Sequence, residues 1–243
     1  MKKTPPSSPR FAIIDAARGF AVCMMIAYHF CYDTTYFGIT HFRFLVDQGW
    51  IVWRTVIVTS FLLLVGLSLV LAQNQSRRGF TKRWLQIAGA ALLVTAASLQ
   101  LFPNAYIYFG ILHFNALAAL IGLACLRLTR NALLALCAAA LAVGLSVQLT
   151  AFDPKWINWI GLVANKPLTE DYVPLLPWIG VVFLGMAVGM AWRERDYRLV
   201  SGLAKAGDAA PRWLRWLGRH SLAAYLLHQP ILFGGFYLAG FGR

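Results

Sequence analysis

The sequence has few charged residues, and acidic residues are especially scarce. Only 13% of its 243 residues are Asp, Glu, Lys or Arg, whereas a soluble domain has roughly 25%. Hydrophobic residues make up 59% of the chain, the mean hydropathy is +0.62, and long stretches have no charge at all. This composition excludes a soluble globular enzyme, a disordered chain and a fibrous chain.

Cysteine is also scarce, and no familiar catalytic motif is present. The four cysteines are Cys23, Cys31, Cys125 and Cys137, and none is spaced as a metal ligand pair. They lie in or beside apolar stretches, where cysteine is commonly a small buried residue. We therefore expect neither a disulfide nor a metal site. A phosphate-binding Gly-rich loop and a nucleophilic Ser elbow are absent as well.

The apolar residues are concentrated in stretches long enough to cross a bilayer. A helix needs roughly 20 apolar residues to span the hydrocarbon core, and lipid allows only structures that satisfy their own backbone. The stretches are apolar on all sides and lack the two-residue alternation of a barrel. We predict an all-α, polytopic bundle of seven transmembrane helices that forms one membrane domain over residues 1–243. The predicted spans are Phe11–Tyr32, Trp50–Ala72, Trp84–Phe102, Tyr106–Leu126, Ala132–Phe152, Leu175–Trp192 and Ser221–Ala239.

The basic residues alternate between the loops and predict the orientation. Sixteen of the 22 Lys and Arg residues fall on one predicted side, so the positive-inside rule places the N-terminus in the cytoplasm. The net charge of +13 is thus a membrane signature, and we expect no nucleic-acid partner. Residues 1–10 are predicted to be a disordered tail. Residues 193–220 are predicted to be a cytoplasmic loop whose segment Arg212–Arg219 lies at the membrane interface.

Four ionisable residues share one face of the first span. At about 100° per residue, Asp15, Arg18, His29 and Asp33 are aligned, and about 16 Å of helix axis separates Arg18 from His29. Such groups are costly in lipid and are functional candidates by default. Asp15 and Arg18 are three residues apart and can pair, so a purely structural ion pair is an equal alternative for them.

Two further histidines lie within predicted spans. His113 falls at a depth comparable to that of His29, and His228 lies in the middle of the last span beside Gln229. A purely structural role is an equal alternative for His113 and the slightly favoured one for His228. Histidine suits proton transfer because its ordinary pKa is near neutrality, and Asp33 lies one turn from His29. A general base beside a hydroxyl or amine would fit acyl transfer. A proton-coupled transporter or flippase, or a non-catalytic membrane subunit, is the alternative, although no inverted repeat is visible.

Several stretches, taken in order, resemble a known family. The first span resembles that of the heparan-alpha-glucosaminide N-acetyltransferase catalytic-domain-like family and is more distantly similar to the acyltransferase-3 family. The resemblance covers nearly the whole chain in the manner of the short bacterial members. It is carried by Arg10–Ala21, Met24–Phe30, Tyr32–Asp33, Phe61–Ser68, Lys82–Arg83, Phe109–His113, Leu176–Gly180 and Gly218–Pro230.

The resemblance implies a membrane acyltransferase. Such proteins take an acyl group, commonly acetyl, from acyl-CoA on the cytoplasmic side and pass it to a sugar hydroxyl or amine outside. In the acyltransferase-3 pattern, the histidine that matches His29 is the catalytic one. The eukaryotic heparan enzyme has asparagine there and uses a slightly later histidine, for which His41 is the nearest candidate. The implied location is the bacterial inner membrane, with lipid, acyl-CoA, a sugar or glycan acceptor and a homo-oligomer as partners.

The site residues combine the helix face with this resemblance. We predict catalytic roles for His29, Asp33, His113 and Asp15. The acyl-CoA donor is assigned to Arg18, Lys82, Arg83 and His228, since arginine and lysine bind phosphate as forks or point charges. The pantetheine arm is expected to lie along the first span between Arg18 and His29.

Overall fold

The chain folds into helices without sheet. The computed structural model describes residues 11–196 and 201–241, so the predicted disordered tail 1–10 lies outside the described residues. No β-strand occurs in the described ranges, and the predicted all-α class is confirmed. The helices are α1 (Ala12–Tyr36), α2 (Gln48–Leu71), α3 (Arg77–Leu101), α4 (Ile111–Cys125), α5 (Arg130–Ser146), α6 (Leu175–Glu194), α7 (Ser201–Ala209), α8 (Arg212–Arg219) and α9 (Ser221–Leu238).

Four of these helices are long and apolar enough to cross a membrane. They are α1, α2, α3 and α6, and each matches one of the predicted spans. The predicted fourth and fifth spans correspond to α4 and α5, which have only 15 and 17 residues. At about 1.5 Å per residue, these two helices are shorter than a hydrocarbon core of about 30 Å. The seven-span count and the cytoplasmic N-terminus stay predictions.

The helix α4 begins, and the helix α5 ends, at positions where neighbouring backbone groups form hydrogen bonds outside the helix. Before α4, the Ile107 N–H donates to the Ser98 hydroxyl at 2.9 Å and the Ile107 carbonyl accepts from the Thr95 hydroxyl at 2.7 Å. After α5, the Leu149 N–H donates to the Leu162 carbonyl at 2.8 Å. Because these bonds replace helical ones, residues 102–110 and 147–174 are irregular connections with two short 3-10 turns.

The chain divides into two compact units. The terminal unit comprises described residues 11–61 and 201–241, and therefore contains α1, the first half of α2, and α7 to α9. The middle unit comprises described residues 62–196, with the second half of α2 and α3 to α6. The boundary falls inside α2, between Phe61 and Leu62.

Glycines set the close helix packing in the middle unit. A side chain at Gly66 of α2 would collide with the Val182 carbonyl oxygen of α6, and one at Gly185 would collide with the Leu63 carbonyl oxygen. Gly189 in turn faces Val70. This spacing of small residues is the usual means by which membrane helices approach each other.

The terminal unit contains a similar contact between α1 and α8. A Cβ on Gly19 would meet the carbonyl oxygen of Leu214, and a Cβ on Gly218 would meet that of Asp15. The α8 backbone is therefore in direct contact with the first turns of α1. The α7 helix reaches the same end of α1, where Gly207 faces the backbone of Ile13.

Candidate active site

The ionisable face of α1 lies in the terminal unit. Asp15 and Arg18 form an ion pair with 3.7 Å between the carboxylate and the guanidinium, and each side chain is about four-fifths buried. Further along the helix, Asp33 is fully buried and His29 is partly exposed. The predicted pairing of Asp15 with Arg18 is thus present.

His29 meets His228 from the last helix. The centroids of the two imidazole rings are 4.8 Å apart and the ring planes are tilted by 60°. His228 is buried, with 7% of its surface exposed. Two histidines that are 199 positions apart in the sequence therefore form one cluster between α1 and α9.

Asp33 meets Gln229, the residue that follows His228. The Gln229 amide nitrogen donates to Asp33 Oδ1 at 2.8 Å. Because an ionised carboxylate only accepts hydrogen bonds, the amide group must present its nitrogen to Asp33. This bond ties α1, one turn beyond His29, to the middle of α9.

The surroundings of His228 determine which ring nitrogen carries its proton. Its Nδ1 lies 2.6 Å from the Tyr225 carbonyl oxygen. A carbonyl can only accept, so Nδ1 carries the hydrogen and the neutral ring has its lone pair on Nε2.

Each of the four clustered side chains keeps one buried polar atom without a partner. These atoms are His29 Nδ1, Asp33 Oδ2, His228 Nε2 and Gln229 Oε1. Buried polar groups in folded proteins are nearly always hydrogen-bonded, so each exception requires an explanation. Four such atoms on neighbouring side chains could together bind a ligand group that donates hydrogen bonds. We call His29, Asp33, His228 and Gln229 the two-helix cluster.

Aromatic rings pack beside the cluster. Tyr28 is buried and makes edge contacts to Phe44, Trp50 and Trp53, with ring centroids 5.4 to 6.0 Å away. It also contacts the neighbouring His29 ring at 6.0 Å. Such edge-to-face pairs favour one geometry, and they keep the α1 turn at residue 28 in place.

His113 lies in the middle unit with both ring nitrogens engaged. Its Nδ1 accepts from the Gly110 N–H at 3.3 Å, so the hydrogen is on Nε2, which donates to the Thr95 hydroxyl at 3.0 Å. The Thr95 hydroxyl passes its own hydrogen to the Ile107 carbonyl. His113 is therefore part of a chain of hydrogen bonds that connects the start of α4 to α3 and leaves neither ring nitrogen unpaired.

Lys82 and Arg83 also lie in the middle unit, in the first turns of α3. Lys82 lines a surface groove with Arg77, Arg78, Thr81, Leu85 and Gln86. Both residues are exposed. Of the eight predicted site residues, the terminal unit thus contains Asp15, Arg18, His29, Asp33 and His228, and the middle unit contains Lys82, Arg83 and His113.

The structure adds one residue that the sequence-based assignment omitted. This residue is Gln229, and its sequence signal is a polar side chain within an apolar helix. His41, the alternative to His29, is exposed in the connection between α1 and α2. All four cysteines are free, and no group of three potential metal ligands occurs among the described residues.

Comparisons with known proteins find one match. A family model described as heparan-alpha-glucosaminide N-acetyltransferase, catalytic, matches residues 10–230. The match covers the residues that carry the resemblance and the whole two-helix cluster. It lends no support to the more distant resemblance to the acyltransferase-3 family. No curated protein matches, and no solved structure matches.

Proposed function

The chain belongs to the heparan-alpha-glucosaminide N-acetyltransferase catalytic family, and we propose that it transfers an acyl group, acetyl above all, from acyl-CoA to an amine or hydroxyl of a sugar. Family membership indicates a membrane acetyltransferase. The identity of the donor, the acceptor and the catalytic histidine is our proposal. We propose the bacterial inner membrane as its location and a glycan exposed at the outer side as its acceptor.

The observation that supports this proposal is the two-helix cluster. Three of its four unpartnered atoms are acceptors when Asp33 is ionised and His228 is neutral: Asp33 Oδ2, His228 Nε2 and Gln229 Oε1. An amine or a hydroxyl supplies the hydrogens that these atoms lack. A nucleophile bound there would lie beside the imidazole of His29, which is the group needed to remove its proton.

We propose that His29 is the general base. Its imidazole takes the proton from the acceptor nitrogen or oxygen as that atom attacks the thioester carbonyl carbon of acyl-CoA. The new bond joins the acyl carbon to the acceptor, the carbon–sulfur bond breaks, and the thiolate of CoA leaves with the bonding pair. The proton held by His29 then passes to the thiolate, which restores the neutral ring.

His228 and Asp33 act through their positions beside the base. The Nδ1–H of His228 is used by the Tyr225 carbonyl, so its Nε2 can accept from the attacking group or from His29. A carboxylate one turn from His29 favours the protonated imidazole that forms during transfer. The sequence alone assigns His228 to donor binding, whereas its contact with His29 leads us to propose that it assists the base.

Donor binding is proposed for the basic residues named from the sequence. Arg18 is near the N-terminal end of α1, in the same unit as His29, and its pairing with Asp15 holds the guanidinium in one orientation. Lys82 and Arg83 are exposed cations that suit phosphate,. Asp15 then has an orienting role, and the satisfied bonds of His113 suit a supporting role.

The test compares His29→Ala with His41→Ala. Isolated membranes that contain each variant are given radiolabelled acetyl-CoA, and label in the glycan and lipid fractions is measured. General base catalysis contributes about 10²- to 10⁴-fold, so His29→Ala should lower transfer by at least about a hundredfold. His41→Ala should retain wild-type transfer, because its side chain is exposed in the α1–α2 connection.

Equal membrane insertion of both variants is the control. Wild-type transfer by His29→Ala would refute the role of His29, and loss of transfer by His41→Ala alone would assign the chemistry to the later histidine. Binding of acetyl-CoA to the purified wild-type protein is measured in parallel. Absence of binding, together with proton-coupled uptake in vesicles, would favour the transporter or flippase instead.

A further inference from the structure

The α8 helix presents two different surfaces around its axis. Leu214 and Gly218 face α1, as their contacts with Gly19 and Asp15 require. At about 100° per residue, the remaining half of the helix carries two tryptophans and three arginines. Trp213 and Trp216 are 61% and 56% exposed. Arg212 and Arg219 are exposed and Arg215 is partly exposed.

These arginines have no acidic partner in the described part of the chain. None of them belongs to an ion pair there, and α8 itself contains no Asp or Glu. The three guanidiniums lie within about 60° of one another around the axis, since they are separated by three, four and seven residues. The tryptophans continue the exposed surface on one side of them. We call this surface, made by Arg212, Trp213, Arg215, Trp216 and Arg219, the arginine–tryptophan face.

The position of α8 puts this surface at the end of a membrane span. The α1 helix is one of the four helices able to cross a membrane, and α8 contacts its first two turns through Asp15 and Gly19. The first turns of a helix that crosses a membrane lie near the boundary between the hydrocarbon and the headgroups. Tryptophan is enriched at that depth because its ring is apolar and its N–H is polar.

We propose that the arginine–tryptophan face binds the phosphate groups of anionic phospholipids. The guanidiniums would form bidentate hydrogen bonds to headgroup phosphates, and the indoles would lie at the level where the acyl chains begin. Each basic residue near an anionic membrane surface favours binding by about fivefold. The α1–α8 contact would then connect the lipid composition to the Asp15–Arg18 end of α1.

Lipid is favoured over the phosphates of a soluble molecule by the tryptophans. Two exposed indoles beside three arginines give a surface that is half apolar, and an apolar half is buried only against acyl chains. Inorganic phosphate, or a soluble phosphate compound without an acyl chain or an aromatic base, would leave Trp213 and Trp216 in water. The proposal does not depend on acyl transfer and can be tested without an acceptor.

The experiment uses the full chain in nanodiscs of equal parts phosphatidylcholine and phosphatidylglycerol. Two preparations are compared, in which either the phosphatidylcholine or the phosphatidylglycerol carries bromine near the headgroup end of its acyl chains. The bromine quenches the fluorescence of nearby tryptophans. The Trp216 signal is isolated as the difference from Trp216→Phe. We expect stronger quenching when phosphatidylglycerol carries the bromine, and loss of that preference when Arg212, Arg215 and Arg219 are all replaced by Gln.

A charge-matched variant guards against an effect of net charge. Replacing Arg77, Arg78 and Arg127 by Gln removes the same charge from exposed positions in the middle unit, and it should keep the preference. Circular dichroism and elution from a sizing column verify that both triple variants are folded. Equal quenching by the two lipids in the wild type would overturn the proposal.

Two other outcomes would also overturn it. If the α8 triple variant keeps the full preference, another surface selects the lipid. If added CoA removes the preference and the α8 variant binds CoA more weakly, the arginines serve the donor phosphates and not the membrane. Failure of acyl transfer in any of these proteins has no bearing on the quenching result.

Discussion

His29 and His113 are both predicted catalytic histidines, but their ring nitrogens differ in what surrounds them. Both nitrogens of His113 are hydrogen-bonded within the middle unit. His29 has a buried Nδ1 without a partner and a neighbouring imidazole at 4.8 Å. A base must have a free lone pair, so the difference favours His29 for chemistry and gives His113 a supporting role.

Substitution of His113 therefore tests structure more than chemistry. His113→Ala removes the acceptor for the Gly110 N–H and the donor to Thr95, which costs about 1–3 kcal/mol for buried groups left unpaired. We expect a lower melting temperature in detergent and less than a tenfold loss of acetyl transfer. A loss as large as that of His29→Ala in a protein of normal stability would assign His113 to the chemistry.

Gln229 is the positioning residue of the two-helix cluster. It supplies the donor to Asp33. Gln229→Leu leaves a buried carboxylate without that donor, and we expect kcat for acetyl transfer to fall by about tenfold or more, in keeping with a cost of about 1–3 kcal/mol. Gln229→Asn should recover part of the rate. Steady-state kinetics measure kcat separately from the KM for acetyl-CoA.

The matched control is Gln100→Leu, at an exposed position of α3. It should leave kcat unchanged. The role of Gln229 fails if Gln229→Leu retains the wild-type kcat, or if Gln229→Asn is as inactive as the leucine variant.

At the scale of the elements, glycine contacts decide which helices adjoin. The α1–α8 contact at Gly19 and Gly218 brings backbone against backbone, and the α2–α6 contact at Gly66 and Gly185 does the same in the middle unit. In lipid the association of helices gains little from apolar burial, so this close packing carries much of it.

Gly19→Leu should separate α8 from α1. The new side chain would overlap the Leu214 carbonyl oxygen, and forced overpacking costs about 1–3 kcal/mol. We expect a melting temperature several degrees lower, measured by intrinsic fluorescence in detergent. Gly234→Leu in α9 is the control, because nothing lies within 4 Å of a Cβ at Gly234. Equal melting temperatures for the two variants would contradict the close contact.

At the scale of the whole molecule, the charge distribution makes a prediction about topology. The positive-inside rule with seven spans places Asn74 in the cytoplasm and Lys155 outside; Asn74 and Lys155 are both exposed. In a background without native cysteines, Lys155→Cys should react with an impermeant maleimide in intact cells. Asn74→Cys should react only after the cells are permeabilised.

The same labelling pattern at both positions would contradict the predicted orientation. The seven-span count would then be wrong as well. The helices α4 and α5 would be the ones in question, because each is shorter than a full span. An odd number of crossings between residues 74 and 155 is what puts these two positions on opposite sides.

The class of the molecule follows from its amino-acid sequence alone. Apolar composition and long uncharged stretches require helices in lipid, because every backbone group must be satisfied within its own segment. The face shared by Asp15, Arg18, His29 and Asp33 follows from helical periodicity alone. For the same reason, the first, second, third and sixth predicted spans correspond to helices that are long and apolar enough to cross a membrane, since each is a local property of its own residues.

Which polar residues meet depends on how the helices pack in three dimensions. The bond between Asp33 and Gln229 joins residues 196 positions apart, and periodicity within one helix carries no information about a partner on another. The start of α4 and the end of α5 likewise depend on partners elsewhere in the chain. These are the Thr95 and Ser98 side chains before α4 and the Leu162 backbone carbonyl after α5. Contacts between distant segments depend on packing geometry, which composition and spacing do not encode.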